Sequence, residues 1–199
     1  MAAAVINLAL IALFGLQHSV MARPAFKTRW TRIVPLPAER SMYVLAASIA
    51  LLILFIGWHP IPQSIWNITN PAARMVVWAI FWIGWSTVLV STFLINHFEL
   101  FGLQQAWFNM HGREADKPEL RQPMFYRWVA HPLYAGFFLA FWAAPQMTLG
   151  HLLLAIGVSI YMLIAIRYEE HDLTELFGDD YRRYRAGVGG LLPRFRRNA

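Results

Sequence analysis

The chain alternates long uncharged runs with short polar ones, and the runs have the length of membrane spans. Ala2–Ala22, Ser41–Ala73 and Met75–Phe98 contain no Asp, Glu, Lys or Arg, and neither does the stretch between Arg127 and Arg167. About 20 helical residues cover the ~30 Å hydrocarbon core of a bilayer, so each of the first three runs supplies a crossing. The fourth, 39 residues long, is about twice what one crossing needs and predicts a hairpin that crosses and returns. The pattern predicts helices over 3–21, 41–58, 73–95, 132–145 and 149–167. Beyond Glu170, Leu173, Leu176, Phe177, Tyr181 and Tyr184 recur at helical spacing opposite Asp172, Glu175, Arg182, Arg183 and Arg185. That pattern predicts an amphipathic helix lying on the membrane surface over the mouth of the hairpin and ending near Gly187 and Gly189. The fold class is therefore all-α: one domain, a polytopic bundle of five transmembrane helices with a cytoplasmic C-terminal amphipathic helix. His111–Arg121, of mixed charge and carrying Pro118, reads as the loop joining the helices of 1–110 to the hairpin and tail of 121–199.

Composition agrees with the spans. Hydrophobic residues make up 58% of the 199 and charged residues 14%, well below the quarter usual in soluble domains. Basic residues set the orientation, because loops rich in Lys and Arg stay in the cytoplasm. Of the 17 Lys and Arg, all but Arg74 fall on one side of a five-span topology. Arg23, Lys27, Arg29, Arg32 and Arg40 precede the second span, Arg113, Lys117, Arg121 and Arg127 precede the fourth, and the rest lie in the tail. The N-terminus is thus expected outside and the C-terminus in the cytoplasm. In a cleaved secretory signal the positive charge precedes the apolar core; here it follows, so the first segment is expected to remain as a span. The net charge of +6 sits in juxtamembrane loops and points to lipid headgroups rather than nucleic acid. The chain has no Cys, which excludes disulfides, iron–sulfur clusters, thiolate zinc sites and a cysteine nucleophile.

The chemistry gathers at the hairpin's two polar flanks. Pro132 suits the first turn of a helix, where it forfeits no backbone hydrogen bond, and it pushes His131 toward an extended conformation. The helix then begins at His131, with its free N–H groups and positive dipole end favouring an anionic group. Tyr134 follows three residues on, and Gly136 permits close helix packing. At the far flank, Glu169 and Glu170 can accept from hydroxyls or an ammonium group. A return fold brings both flanks to one membrane surface, where a small ligand carrying anionic and donor groups fits between them. His18, His97 and His131 raise the possibility of a metal, but no HxxxH spacing or adjacent carboxylate ligand set accompanies them, and none is expected.

The sequences AHPLYAG at 130–136, EE at 169–170 and FGDDYRRY at 177–184 resemble the isoprenylcysteine carboxyl methyltransferase superfamily, whose pattern is RHPxYxG, EE, FGxxYxxY. GLQHSVMARPAFK at 15–27, ERSMYVL at 39–45, STFLINHFELFGLQQ at 91–105 and FWAAPQMTLGHLL at 141–153 narrow the resemblance to the bacterial methanethiol S-methyltransferases. The resemblance implies a bacterial inner-membrane enzyme that moves a methyl group from S-adenosylmethionine to methanethiol. The products are dimethyl sulfide and S-adenosylhomocysteine, and neither a metal nor an obligatory protein partner takes part. It implies cofactor binding by Gln105 and, on the 121–199 side, by Tyr126, His131, Pro132, Tyr134, Gly136, Glu169 and Glu170, with 1–110 supplying substrate-side helices. Two positions depart from the pattern: Ala130 stands where Arg precedes His-Pro, and Gln104 where the narrower family has Arg. Arg127 is the expected replacement for the first.

A thiol must lose its proton to attack a sulfonium methyl, and cysteine's reference pKa of about 8.5 shows how little thiolate neutral pH provides. His18, Arg40 and Tyr43, at the cytoplasmic ends of the first two spans, are the expected catalytic residues for deprotonating or stabilising the sulfur. Tyr134 and Trp128 are expected to face the sulfonium by cation–π attraction. The alternatives are another small thiol or hydrogen sulfide as acceptor, a prenylcysteine carboxyl acceptor, and a non-catalytic membrane protein of the same fold.

Overall fold

The computed structural model of the chain describes residues 1–113 and 119–194; part of the loop His111–Arg121, and Arg196 and Arg197 of the basic tail, lie outside them. In chain order the elements are α1 (Ala2–Ala22), α2 (Pro24–Trp30), α3 (Leu36–Gly57), β1 (Ser64–Asn67), α4 (Pro71–Ile95), α5 (His97–Leu100), α6 (Leu103–Met110), α7 (Pro132–Trp142), β2 (Gln146–Thr148), α8 (Leu149–Phe177) and α9 (Asp179–Gly187). Four of them, α1, α3, α4 and α8, are long and apolar enough to cross a membrane. No more than 22% of the most apolar window of any of these helices is buried inside the protein. Their outward faces are apolar, as a lipid-facing surface requires and an aqueous one forbids.

Three helix ends differ from the sequence reading for identifiable reasons. α3 starts at Leu36 rather than 41, because Pro35 and Pro37 suit a first turn and the charges of Glu39 and Arg40 mark the end of the apolar run, not of the helix. For the same reason α8 runs ten residues beyond the expected 167, to Phe177. It stops at Gly178, whose φ of +57° glycine adopts readily. The predicted amphipathic helix is thereby divided between the last turns of α8 and a separate α9, which carries Asp179 and Asp180 in its first turn and Arg185 in its last, matching the helix dipole. α7 ends at Trp142 rather than 145, since Pro145 drives Ala144 out of the helical region. At 11 residues, α7 rises only about 16 Å, and extended chain leads from it into β2.

The chain divides into two compact units that interleave along the sequence. The first takes in Met1–Gln63, the described part of 96–117, and Leu149–Gly157. Here α1 packs on α3, and α3 on α6. Asn7, fully buried in α1, grips the backbone of His59 beyond the end of α3 with both side-chain atoms: its Nδ2 donates to His59 O (2.8 Å) and its Oδ1 accepts from His59 N–H (2.9 Å). Gly102 opens α6 at φ +77°, and a Cβ there would lie 2.5 Å from the Ser41 nitrogen. Only glycine lets α6 settle on the first turns of α3.

The second unit holds Ser64–Ile95, Val158 onward, and the described part of 118–148. β1 and β2 pair antiparallel, Ser64 opposite Thr148 and Asn67 opposite Gln146, and Trp66 Nε1 donates to Ala144 O at 2.9 Å. The sequence reading missed both strands. β1 leads directly into α4 and β2 follows α7, so the pairing sets α7 antiparallel along α4. The two helices meet backbone to backbone: a Cβ on Gly136 would fall 2.8 Å from Gly84 O and 2.9 Å from Val88 N, and one on Gly84 2.6 Å from Ala140 N. Gly136 is therefore spent on helix packing, its small face filled by α4. Gly136→Ala is expected to force the helices apart at a cost of roughly 1–3 kcal/mol and to lower the unfolding temperature in detergent, followed by tryptophan fluorescence. An unchanged midpoint would show that the pair is not in close contact.

Candidate active site

Within the second unit, His131 is the N-cap of α7, with φ −126° and ψ 63°, and Pro132 takes the first helical position. The imidazole is 3% exposed. Its Nε2 lies 3.0 Å from Glu170 Oε1 and its Nδ1 3.8 Å from Glu169 Oε2, so the ring is held between neighbouring carboxylates of α8. Tyr134, one turn along α7, stands edge-on to it with ring centroids 5.8 Å apart and hydrogen-bonds Glu169. The two flanks of the uncharged stretch do meet, because α7, β2 and α8 carry the chain out and back.

A third strand of chain, absent from the sequence reading, closes this cluster. Ala130 N–H donates to Gly189 O (2.8 Å), His131 N–H to Gly190 O (3.1 Å) and Gly189 N–H to Trp128 O (3.1 Å). Residues 188–190 thus run beside 128–131 and fix the turn that presents His131. From α9, the Tyr184 hydroxyl donates to Tyr126 O at 2.8 Å, and Arg185 Nε pairs with Glu170 Oε1. Glu170 accepts from imidazole and guanidinium on the same oxygen, while a carboxylate has roughly four acceptor positions; it keeps capacity for a further donor. Arg185 had been placed on the solvent face by helical periodicity. The signal for it was its position one residue beyond the FGDDYRRY motif and four beyond Tyr181, on the face that α9 turns to α8.

The two departures from the family patterns, Ala130 and Gln104, lie in different units. Ala130 is buried at 8% exposure with its N–H on Gly189, and the guanidinium at the carboxylates comes from Arg185, not from Arg127, which is exposed in a single 3₁₀ turn. Gln104 accepts from Asn96 Nδ2 at 2.5 Å, supporting a residue at φ +96° that is costly for a side chain other than glycine. Trp128 is 62% exposed and its backbone serves the 188–190 strap.

Burial, with the Arg185 charge opposing it, pushes the Tyr184 phenol up to about 12. Burial and the charge of Glu169 push Tyr126 above the ordinary phenol value, and burial with the charges of Glu170 and Glu169 does the same for Tyr181. All three phenols are neutral at physiological pH. Tyr184 spends its hydroxyl on Tyr126; Tyr181, 3% exposed, has a buried hydroxyl with no hydrogen-bond partner among the described residues.

The first unit holds the second group of expected residues. The Tyr43 hydroxyl sits against the His18 imidazole, 2.8 Å from Nε2 and 3.1 Å from Nδ1, and Phe14 stacks on the other side of the ring at 5.5 Å. Arg40 lies over Tyr43, 5.6 Å from the ring centroid, and its Nε donates to Leu100 O at 3.0 Å. α5 and α6 thereby dock on the start of α3 and hold the Arg40–Tyr43–His18 chain. Gln105 belongs to this unit as well, its Nε2 donating to Glu99 O at 3.2 Å and its Oε1 buried without a partner among the described residues. Among the described residues no group of three or more His, Asp and Glu is placed to hold a metal ion.

No family model and no solved structure matches the chain. Curated proteins do. It is 53% identical to the methanethiol S-methyltransferase of Mycobacterium tuberculosis, over 96% of this chain and 78% of that protein. The methanethiol S-methyltransferase of Pseudomonas deceptionensis is 47% identical over 98% of this chain and 75% of its own length. More distantly, Nurim of Xenopus laevis is 28% identical over 86% of this chain and 62% of Nurim. Identity near one half, sustained over nearly the whole chain, makes this membrane chain a member of the methanethiol S-methyltransferase family.

Proposed function

We propose that the protein methylates methanethiol to dimethyl sulfide, with S-adenosylmethionine as donor and S-adenosylhomocysteine as co-product. The observation that carries the reading is the cluster of His131, Tyr134, Glu169, Glu170 and Arg185, which sets acceptors and donors side by side at one end of a membrane hairpin. The residues present fit the donor. Its ribose hydroxyls and ammonium need acceptors, which Glu169 and Glu170 provide; its carboxylate needs donors, which the start of α7 and the side chains of His131 and Arg185 provide. When bound, it supplies a methyl group activated on a sulfonium sulfur.

His18 takes the proton of the thiol and later returns it to water. Tyr43 holds the imidazole, and Arg40, anchored on Leu100 O, holds Tyr43. Apolar helix faces keep water scarce, so a thiolate once formed is not smothered by solvation. Alignment of two small reactants then supplies most of the acceleration, since effective molarities of about 10⁵–10⁸ M are within reach of well-oriented groups.

The placement in the membrane is part of the proposal. α7 and the extended residues after it make the fifth crossing, with the N-terminus outside, the C-terminus in the cytoplasm of a bacterial inner membrane, and α9 along the inner surface. A cytoplasm-specific reporter at the C-terminus, active in this topology and silent in the reverse, reads the orientation.

Detergent-solubilised protein given S-adenosylmethionine and methanethiol is expected to release dimethyl sulfide into the headspace, with other small thiols and hydrogen sulfide poorer acceptors. A folded sample that binds S-adenosylhomocysteine and releases no methylated sulfide from any of them would overturn the reaction.

A further inference from the structure

The two tyrosines of FGDDYRRY are spaced to share a face of α9, yet the structure uses them differently. The Tyr184 hydroxyl is committed to Tyr126 O. Tyr181 is more deeply buried, and its hydroxyl touches no acceptor or donor among the described residues. Leaving a buried hydroxyl unpaired costs free energy, and a phenylalanine would fill the same volume without that cost. Packing accounts for the ring and not for the oxygen.

Its surroundings are particular. Tyr181 is one turn before Arg185, which pairs with Glu170, and the charges of Glu170, Glu169 and Arg185 all act on the phenol. A neutral phenol in the field of two acceptor-only groups is complemented by something that accepts the phenolic hydrogen and donates a hydrogen of its own to a carboxylate. A hydroxyl does both; an ammonium group donates only and leaves the phenolic hydrogen unspent.

We propose that Tyr181 is a binding residue for the methyl donor, donating its phenolic O–H to a ribose hydroxyl that in turn donates to the Glu169–Glu170 pair. The assignment rests on the reading of this cluster as an S-adenosylmethionine site. It gives the first motif tyrosine a role distinct from that of Tyr184, which braces the turn before His131.

Tyr181→Phe removes one oxygen and keeps the ring. In the ligand-free protein its unfolding temperature is expected to equal or exceed that of the parent, because an unpaired polar atom has been deleted. Its dissociation constant for S-adenosylhomocysteine, measured by calorimetry in detergent, is expected to rise about tenfold. One of the 2′-deoxy and 3′-deoxy analogues of that ligand is expected to lose about tenfold more affinity in the parent than in Tyr181→Phe, since the missing hydroxyl costs the parent both the phenolic and the carboxylate hydrogen bond and costs the variant only the second. If the parent binds S-adenosylhomocysteine and Tyr181→Phe binds it equally well, or if both deoxy analogues lose the same factor in both proteins, the role of Tyr181 is overturned while the site stands. If the parent itself binds none, the site and the role fall together.

Discussion

Glu170→Ala is expected to abolish measurable binding of S-adenosylhomocysteine, a loss of at least about 100-fold, while Glu169→Ala weakens it by a smaller factor. Both side chains can accept from the ligand, but they differ in what else they hold. Glu170 Oε1 receives His131 Nε2 at 3.0 Å and pairs with Arg185 Nε. Glu169 stands 3.8 Å from the imidazole and its side chain is 44% exposed, against 30% for Glu170. Hydrogen bonds to charged groups contribute about 1.5–3 kcal/mol each, and each 1.4 kcal/mol is a factor of ten in affinity. Removing Glu170 deletes a ligand contact, leaves a buried imidazole with one partner fewer, and frees α9, which the guanidinium ties to α8. Glu170→Gln separates the contributions: it keeps an acceptor oxygen for His131 and lacks the charge that holds Arg185, so its loss is expected to lie between those of Glu169→Ala and Glu170→Ala. Calorimetry on the three variants reads the order. Equal binding by parent and Glu170→Ala would remove the carboxylates from the site altogether.

That site was legible in the sequence to the extent that local chemistry sets it. An uncharged run too long for one crossing implies a return, proline after histidine marks a helix start, and two Glu at the end of the run mark the other flank; the 3.0 Å contact between His131 and Glu170 follows from these. What was not legible depends on pairing between distant segments. Nothing in Gly189 or Gly190 announces that their carbonyls receive Ala130 and His131, and nothing in SIWN announces a partner in QMT. Arg185 shows the limit of periodicity, which tells which side of α9 a residue occupies but not that a carboxylate waits there. The helix ends went astray where the end of an apolar run was read as the end of a helix. α8 continues through charged residues until Gly178 because nothing in 168–177 breaks a helix, and the one true breaker in the region, Pro145, lay inside a run whose hydrophobicity masked it.

His18→Phe is expected to lower turnover of methanethiol by about 10²–10⁴-fold, the range for loss of a positioned acid or base, while S-adenosylhomocysteine binds within about twofold of the parent. The substitution retains a ring for Phe14 to stack on at 5.5 Å and removes the nitrogens that meet the Tyr43 hydroxyl, so it subtracts proton transfer and little else. Tyr43→Phe, which acts through His18 as a positioning change, is expected to cost about tenfold, the worth of one hydrogen bond. The pH dependence separates a base from a structural residue. Without His18 the only thiolate is that formed in solution, whose fraction rises about tenfold per pH unit until the thiol's own pKa, at or above about 8.5. The rate of His18→Phe should therefore climb toward that of the parent between pH 7 and 9, as an alkaline medium replaces the missing base. A histidine needed only for packing would give a variant whose deficit is the same at both pH values, and one that bound the methyl donor would lose affinity and turnover together. Either result would move the proton acceptor elsewhere in the protein.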